Sequence, residues 1–194
     1  MKLLYTKRSP YARKPRVIAI EKNIVLNLAD EDLQNKSQRL LDSNPLGKVP
    51  TLILDNGETL YDSPVICQYL DELNNDPVLI PRSGPQRYQV LKWEAMADDL
   101  MTVAINCYME KIRHPKDFHA QFVASQEAAI QKAYAFIESH LTELKEFNLA
   151  PIAVASAIGY VHFRLPHLAV KGKLADWFNE FSKRPSMAQT VPVA

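Results

Sequence analysis

The sequence predicts an α/β front half of βαβ-then-ββα order, followed by an all-helical back half. Three observations predict it. Strand-like runs stop at Tyr61, prolines and a glycine crowd the stretch from Asn74 to Gln86, and apolar residues recur at helical spacing in the long stretches beyond it. The boundary is therefore expected at the proline-rich stretch, with residues 1–75 as one domain, 76–85 as linker and 86–194 as the helical domain.

Residues 2–6 (KLLYT) read as a strand, and 16–22 (RVIAIEK) as part of a helix after a Ser9-Pro10 start. Pro15 disturbs that helix. Deep inside a helix begun at Ser9 a proline costs about 3 kcal/mol, so the helix is expected to kink or to start later. Residues 24–28 (IVLNL) suit a second strand, and the polar 31–43 a short helix or loop. VPTLIL from Val49 to Leu54, the turn Asp55-Asn56-Gly57-Glu58 and the return Thr59–Tyr61 make a β-hairpin. Asp62-Ser63-Pro64 then offers an N-cap with proline just inside, and Val65, Ile66, Tyr69, Leu70 and Leu73 follow at helical spacing.

Two long helices are marked by Leu91 to Ile112 and by Ile130 to Leu144. A third starts after Asn148, which serves as N-cap with Phe147 and Ile152 as a hydrophobic staple. Leu174, Trp177, Phe178 and Phe181 give a last short helix.

Composition narrows the function. With 194 residues, 47% hydrophobic and 23% charged, the chain is an ordinary globular protein of one or two units. Its 23 Lys+Arg against 22 Asp+Glu, formally +1, supply no global field for nucleic acid or an anionic membrane. No apolar run approaches a signal peptide or a membrane span. Cys67 and Cys107 form no CxxC pair or zinc pattern and fall on apolar helix faces, so no metal is expected and a reducing cytoplasm fits.

Val49-Pro50 opens a strand with a residue that cannot donate to the ladder. It is either a first-position proline or a cis bond that turns the Val49 main chain outward to pair with an extended peptide. Asp62 and Ser63 are either plain capping residues or, at a helix N-terminus, a site for a carboxylate with an ammonium beside it. In order, Asn44 to Glu72 (NPLGKVPTLILDNGETLYDSPVICQYLDE) closely resembles the glutathione-binding half of the soluble glutathione transferases.

That resemblance implies a thioredoxin-like first domain, an all-helical second domain and glutathione as co-substrate. It implies a cis Val49-Pro50 bond, with the Val49 main chain pairing the cysteinyl part. Asp62 would meet the γ-glutamyl ammonium and Ser63 the γ-glutamyl carboxylate, while Lys48 is either a partner of the glycyl carboxylate or simply solvated. Ser9, in the Ser-Pro-aromatic run 9–14 (SPYARK), resembles the thiolate-stabilising serine of bacterial serine-type members, and Tyr5 is the competing donor.

Bringing a thiol from about 8.5 to about 6.5 asks for roughly 2.7 kcal/mol. One hydrogen bond to the thiolate gives about 1.5–3 and a helix N-terminus about 0.3–1, so no general base is needed.

Lys7, Arg8, Arg13, Lys14 and Arg16 crowd the same region, either steering an anionic tripeptide or forming a solvated face. Met101, Ile105 and Tyr108 fall where the family lines its second-substrate pocket, or are bundle core. Asn148 and Pro151 stand where the family carries a Ser/Thr-x-x-Asp capping box, so its reciprocal bonds are lost. The resemblance implies a homodimeric detoxification enzyme that conjugates glutathione to a small hydrophobic electrophile. Its rivals are a non-catalytic binding or regulatory module and a glutathione-dependent isomerase or peroxidase.

Overall fold

The computed structural model describes residues 1–193. Its contacts divide it into two units, Met1–Arg87 with the segment from Pro185 onward, and Tyr88–Arg184.

In the first unit four strands are ordered β2-β1-β3-β4. β1 (Lys2–Tyr5) runs parallel to β2 (Asn27–Asp30) and antiparallel to β3 (Thr51–Ile53), which pairs antiparallel with β4 (Thr59–Leu60). β1 and β3 are the inner strands, and Leu3, Leu4 and Leu52 are accordingly fully buried. α1 (Pro10–Glu21) packs against α3 (Ser63–Glu72), burying Val17, Ile18, Ile66 and Leu70, while α2 (Gln38–Ser43) buries Leu40. Each such side chain contributes roughly 1.5–3 kcal/mol. This is the βαβ–ββα, thioredoxin-like order expected from the sequence.

Two local expectations are corrected. α1 starts directly after Ser9 and continues through Pro15, with no later start. The second strand is Asn27–Asp30, not 24–28, because residues 23 and 24 are used to stop the helix. Asn23 takes φ 54°, its N–H donates to Ile20 C=O (3.1 Å), and the Ile24 N–H reaches Ala19 C=O (2.8 Å). That bond pair is a Schellman stop with asparagine in the left-handed position. Val25 beyond it is 89% exposed, so the apolar Ile-Val pair belongs to a turn.

The proline-rich stretch read as a linker is packed rather than loose. The Lys22 ammonium meets Asp71 Oδ1 at 2.9 Å, with side chains 0% and 5% exposed, and also donates to the carbonyls of Asn74 (3.0 Å) and Pro77 (2.5 Å). Asp71 accepts in turn from the Leu79 and Ile80 N–H groups, both at 2.9 Å. One buried ion pair thus ties residues 74–80 to α1 and α3.

The first unit also holds residues that the sequence boundary assigns to the helical domain. α8 (Pro185–Ala188) packs on α1, and Ser186 and Met187 are buried. Arg13 donates to Met187 C=O (3.0 Å) and Thr190 Oγ1 (3.3 Å), and Ser186 Oγ donates to Glu21. The helix at Trp177 is therefore not the last.

The second unit is largely helical: α4 (Pro85–Arg113, entering from the first unit), α5 (Ala120–Ser139), α6 (Leu149–Arg164) and α7 (Gly172–Ser182). Residues Leu149–Val161 of α6 are all buried, as befits a helix apolar on every side. Asn148 caps it through a 2.9 Å bond from the Ala150 N–H to Oδ1. Among the described residues no helix is long and apolar enough to cross a membrane.

Candidate functional site

The sheet register brings three separate segments to one end of the sheet. Leu4 pairs with Thr51 and Leu52 with Leu60, so the end of β1, the start of β3 and the end of β4 coincide. Residues 6–9, 48–50 and 61–63 leave the sheet there. Two helices, α1 and α3, begin there, each with first-turn N–H groups that the helix itself does not pair and with the positive end of its dipole.

Ser9 is half-buried, with φ −73° and ψ 120°. Its Oγ accepts the Ala12 N–H at 3.2 Å, and its own N–H donates to Thr6 C=O at 3.1 Å. Capping uses a lone pair of the hydroxyl and leaves the O–H as a donor, so the cap and a hydrogen bond to a sulfur are compatible. Tyr5, in contrast, is 7% exposed, and the Arg16 guanidinium lies 4.9 Å from its ring centroid.

The Val49–Pro50 bond is cis, as the resemblance implies, with Val49 half-buried, Pro50 buried and Lys48 exposed. The Tyr61–Asp62 bond is cis as well. Asp62 occupies the N-cap position of α3, and its C=O accepts the Ile66 N–H at 3.1 Å. Its exposed carboxylate makes no capping bond. Ser63 is the first residue of the helix and is 2% exposed.

Sequence reasoning missed the group that shapes this loop. Asn44 is 3% exposed, donates from Nδ2 to Lys48 C=O (3.2 Å) and Thr51 Oγ1 (3.1 Å), and accepts the Leu46 N–H on Oδ1 (3.0 Å). The signal was present in the Asn-Pro step and the buried polar demand of a turn, since asparagine routinely bonds the backbone two residues on. Lys36 was missed too. Its Nζ reaches Leu46 C=O at 3.5 Å and crowds Gly47, whose φ of 55° and lack of Cβ admit it.

The basic cluster is divided between solvent ahead of α1 and burial within it. Lys7 and Arg8 are exposed, but Arg13 and Lys14 are buried at 3% and 0%. Burial, and then Arg16, pull Arg13 down to about 10, and burial lowers Arg16 as well.

On α4, Met101 is fully buried, while Ile105 and Tyr108 are half-buried on the same face. Tyr108 OH accepts from Arg164 Nη1 at 3.2 Å, with the guanidinium 4.5 Å from its ring. Cys67 and Cys107 are buried and not joined in a disulfide. Burial pushes the Cys107 thiol up, so it is a packing residue rather than a nucleophile.

Residues 3–78 match the family described as Glutathione S-transferase, N-terminal domain. Over 205 residues the chain is 34% identical to an uncharacterized glutathione S-transferase-like protein of Escherichia coli K12, YibF, covering 99% of this chain and 98% of that one. A glutathione transferase family member from Pseudomonas fluorescens Pf-5, solved with bound glutathione, matches with a TM-score of 0.91 and 37% identity, covering 100% of this chain and 99% of the other. A glutathione S-transferase from Methylobacillus flagellatus KT, solved with GSH bound, matches with a TM-score of 0.91 and 36% identity over 99% of each chain.

Proposed function

Because the chain belongs to the glutathione S-transferase family, we propose that it binds glutathione at the shared end of the sheet, stabilises its thiolate at Ser9 and conjugates it to a small hydrophobic electrophile. The observation that carries this reading is the convergence of Ser9, Val49-Pro50 and Asp62-Ser63 through the strand register, at two helix N-termini.

The chemistry divides by segment. The Val49 main chain takes the cysteinyl backbone as an added strand does. The uncapped Asp62 carboxylate meets the γ-glutamyl ammonium, and Ser63 with the α3 N-terminus meets the γ-glutamyl carboxylate. Lys48 and Lys36 supply cations for the glycyl carboxylate. The Ser9 O–H donates to the sulfur, and the thiolate, once formed, is itself the nucleophile. Met101, Ile105 and Tyr108 are our candidates for the electrophile pocket. Two buried thiols outside any disulfide support a reducing, cytoplasmic setting.

We expect a homodimer. Val65 and Leu73, 44% exposed each, lie with Tyr69 at i, i+4 and i+8 along α3, an apolar stripe on an otherwise packed helix. Light scattering should show a dimer that Val65→Asp converts to monomer, and a wild-type monomer overturns this part.

The test of function is calorimetric titration with glutathione together with conjugation to a generic aromatic electrophile. Ser9→Ala should lower kcat/KM roughly tenfold to a hundredfold, the worth of one hydrogen bond to a charged group, with glutathione affinity little changed. Tyr5→Phe should keep the rate. The reverse pattern gives the thiolate role to Tyr5, binding without turnover makes the protein a binding module, and no binding at millimolar glutathione sinks the proposal.

A further inference from the structure

Arg13 is 3% exposed, yet the groups it is hydrogen-bonded to, Met187 C=O and Thr190 Oγ1, are both neutral. The Thr190 hydroxyl gives its own proton to Ser186 C=O at 2.8 Å and presents lone pairs to the guanidinium. A guanidinium taken out of water without a carboxylate is costly, and proteins ordinarily relieve it with an opposite charge. Arg16, of the same sign, acts on Arg13, while Tyr5 and Asp30 act on Arg16. Arg16 itself keeps Nε and Nη1 buried and without a hydrogen-bond partner. At about 10, Arg13 remains cationic at neutral pH.

The position of this charge is specific. Ser9, the N-cap, is followed at i+4 and i+7 by Arg13 and Arg16 of α1, and helical side chains lean toward the N-terminus. The buried Arg13 is therefore rooted one turn along α1 from the Ser9 cap, in the half of the helix whose dipole end is positive.

We propose that Arg13 is a positioning residue for the glutathione thiolate: residues 187–190 clamp its guanidinium through neutral groups only, leaving its charge to act on an anion at Ser9. This rests on the glutathione reading above. The anion that relieves the buried charge is the thiolate, so the proton leaves bound glutathione more readily than it leaves free glutathione.

The test compares the wild-type chain with Arg13→Met and Arg13→Lys, titrating the ultraviolet thiolate absorbance of bound glutathione and measuring the Kd of S-methylglutathione, which has no ionisable thiol. Arg13→Met should raise the bound thiol pKa by about one unit, roughly tenfold less thiolate below it, with S-methylglutathione affinity within about threefold. Arg13→Lys should stay close to wild type. If Arg13→Met is insoluble, Arg13→Gln, which keeps a donor for Met187 C=O, is read the same way. An unchanged thiol pKa in the neutral variants overturns the proposal, as does an equal shift in the Lys and neutral variants, which would make the role one of packing. A wild-type chain that binds neither glutathione nor S-methylglutathione overturns this proposal and the functional reading together.

Discussion

At the scale of single residues, Asn44 makes three hydrogen bonds within a seven-residue loop, using both ends of its amide. Asn44→Ala removes all three and leaves the Leu46 N–H without its acceptor, while the Thr51 hydroxyl keeps its 2.9 Å bond to Lys48 C=O. It should cost about 2–3 kcal/mol, read as a lower urea midpoint, and weaken glutathione binding through the loop that carries Val49. An unchanged midpoint would show that the turn holds by its backbone alone. The residues legible from sequence were those whose meaning is local: Ser9 before Pro10, Val49 before Pro50, Asp62 and Ser63 before Pro64. Arg13 was read as part of a charge cluster because its partners lie 174 and 177 positions away. No window of sequence contains both halves of such a contact.

Among elements, the hairpin and α3 were read with their turn and start in place, since Gly57 at φ 89° and Pro64 are strong punctuation. β2 was misplaced because Ile24-Val25 has strand chemistry, and only the left-handed Asn23 reveals that those residues serve the preceding helix. The stretch 76–85 was read as linker from its prolines, and composition does not show that Asp71 will collect its N–H groups. Asp71→Ala leaves the Lys22 ammonium buried without its carboxylate and the Leu79 and Ile80 N–H groups without acceptors. The expected loss is about 3–5 kcal/mol, measured by chemical denaturation, with new proteolytic cleavage within residues 74–80. Full stability in that variant would mean that the ion pair is dispensable to the packing of this segment.

For the molecule as a whole, acid sensitivity should come in part from His162. Burial holds its imidazole below the ordinary 6.5, and its Nε2 accepts the Val170 N–H at 3.0 Å, a bond that requires this nitrogen unprotonated. The unfolded chain takes up a proton as pH falls through about 6.5 while the fold resists it. The stability is thus complete above that pH and is lost on acidification toward the lower folded value. The wild-type melting temperature should fall between pH 7.5 and pH 5.5 by more than that of His162→Gln, whose amide oxygen can still accept the Val170 N–H. Identical pH profiles would remove His162 from the account.

The same scale shows why the two-part division was legible and its exact membership was not. Strand-rich and helix-rich composition separate the parts. What holds residues 185–190 to the first is the burial of Ser186 and Met187 and their bonds to Glu21 and Arg13, contacts invisible to periodicity. That recruitment has a consequence in time. On a ribosome Arg13 emerges long before Met187 and Thr190, with the whole helical unit in between. Until then the Arg13 guanidinium stays in water and its bonds to residues 187–190 cannot form, so the sheet-bearing unit completes its packing only after the helices that interrupt it have been made, and synthesis of one becomes the clock for completion of the other.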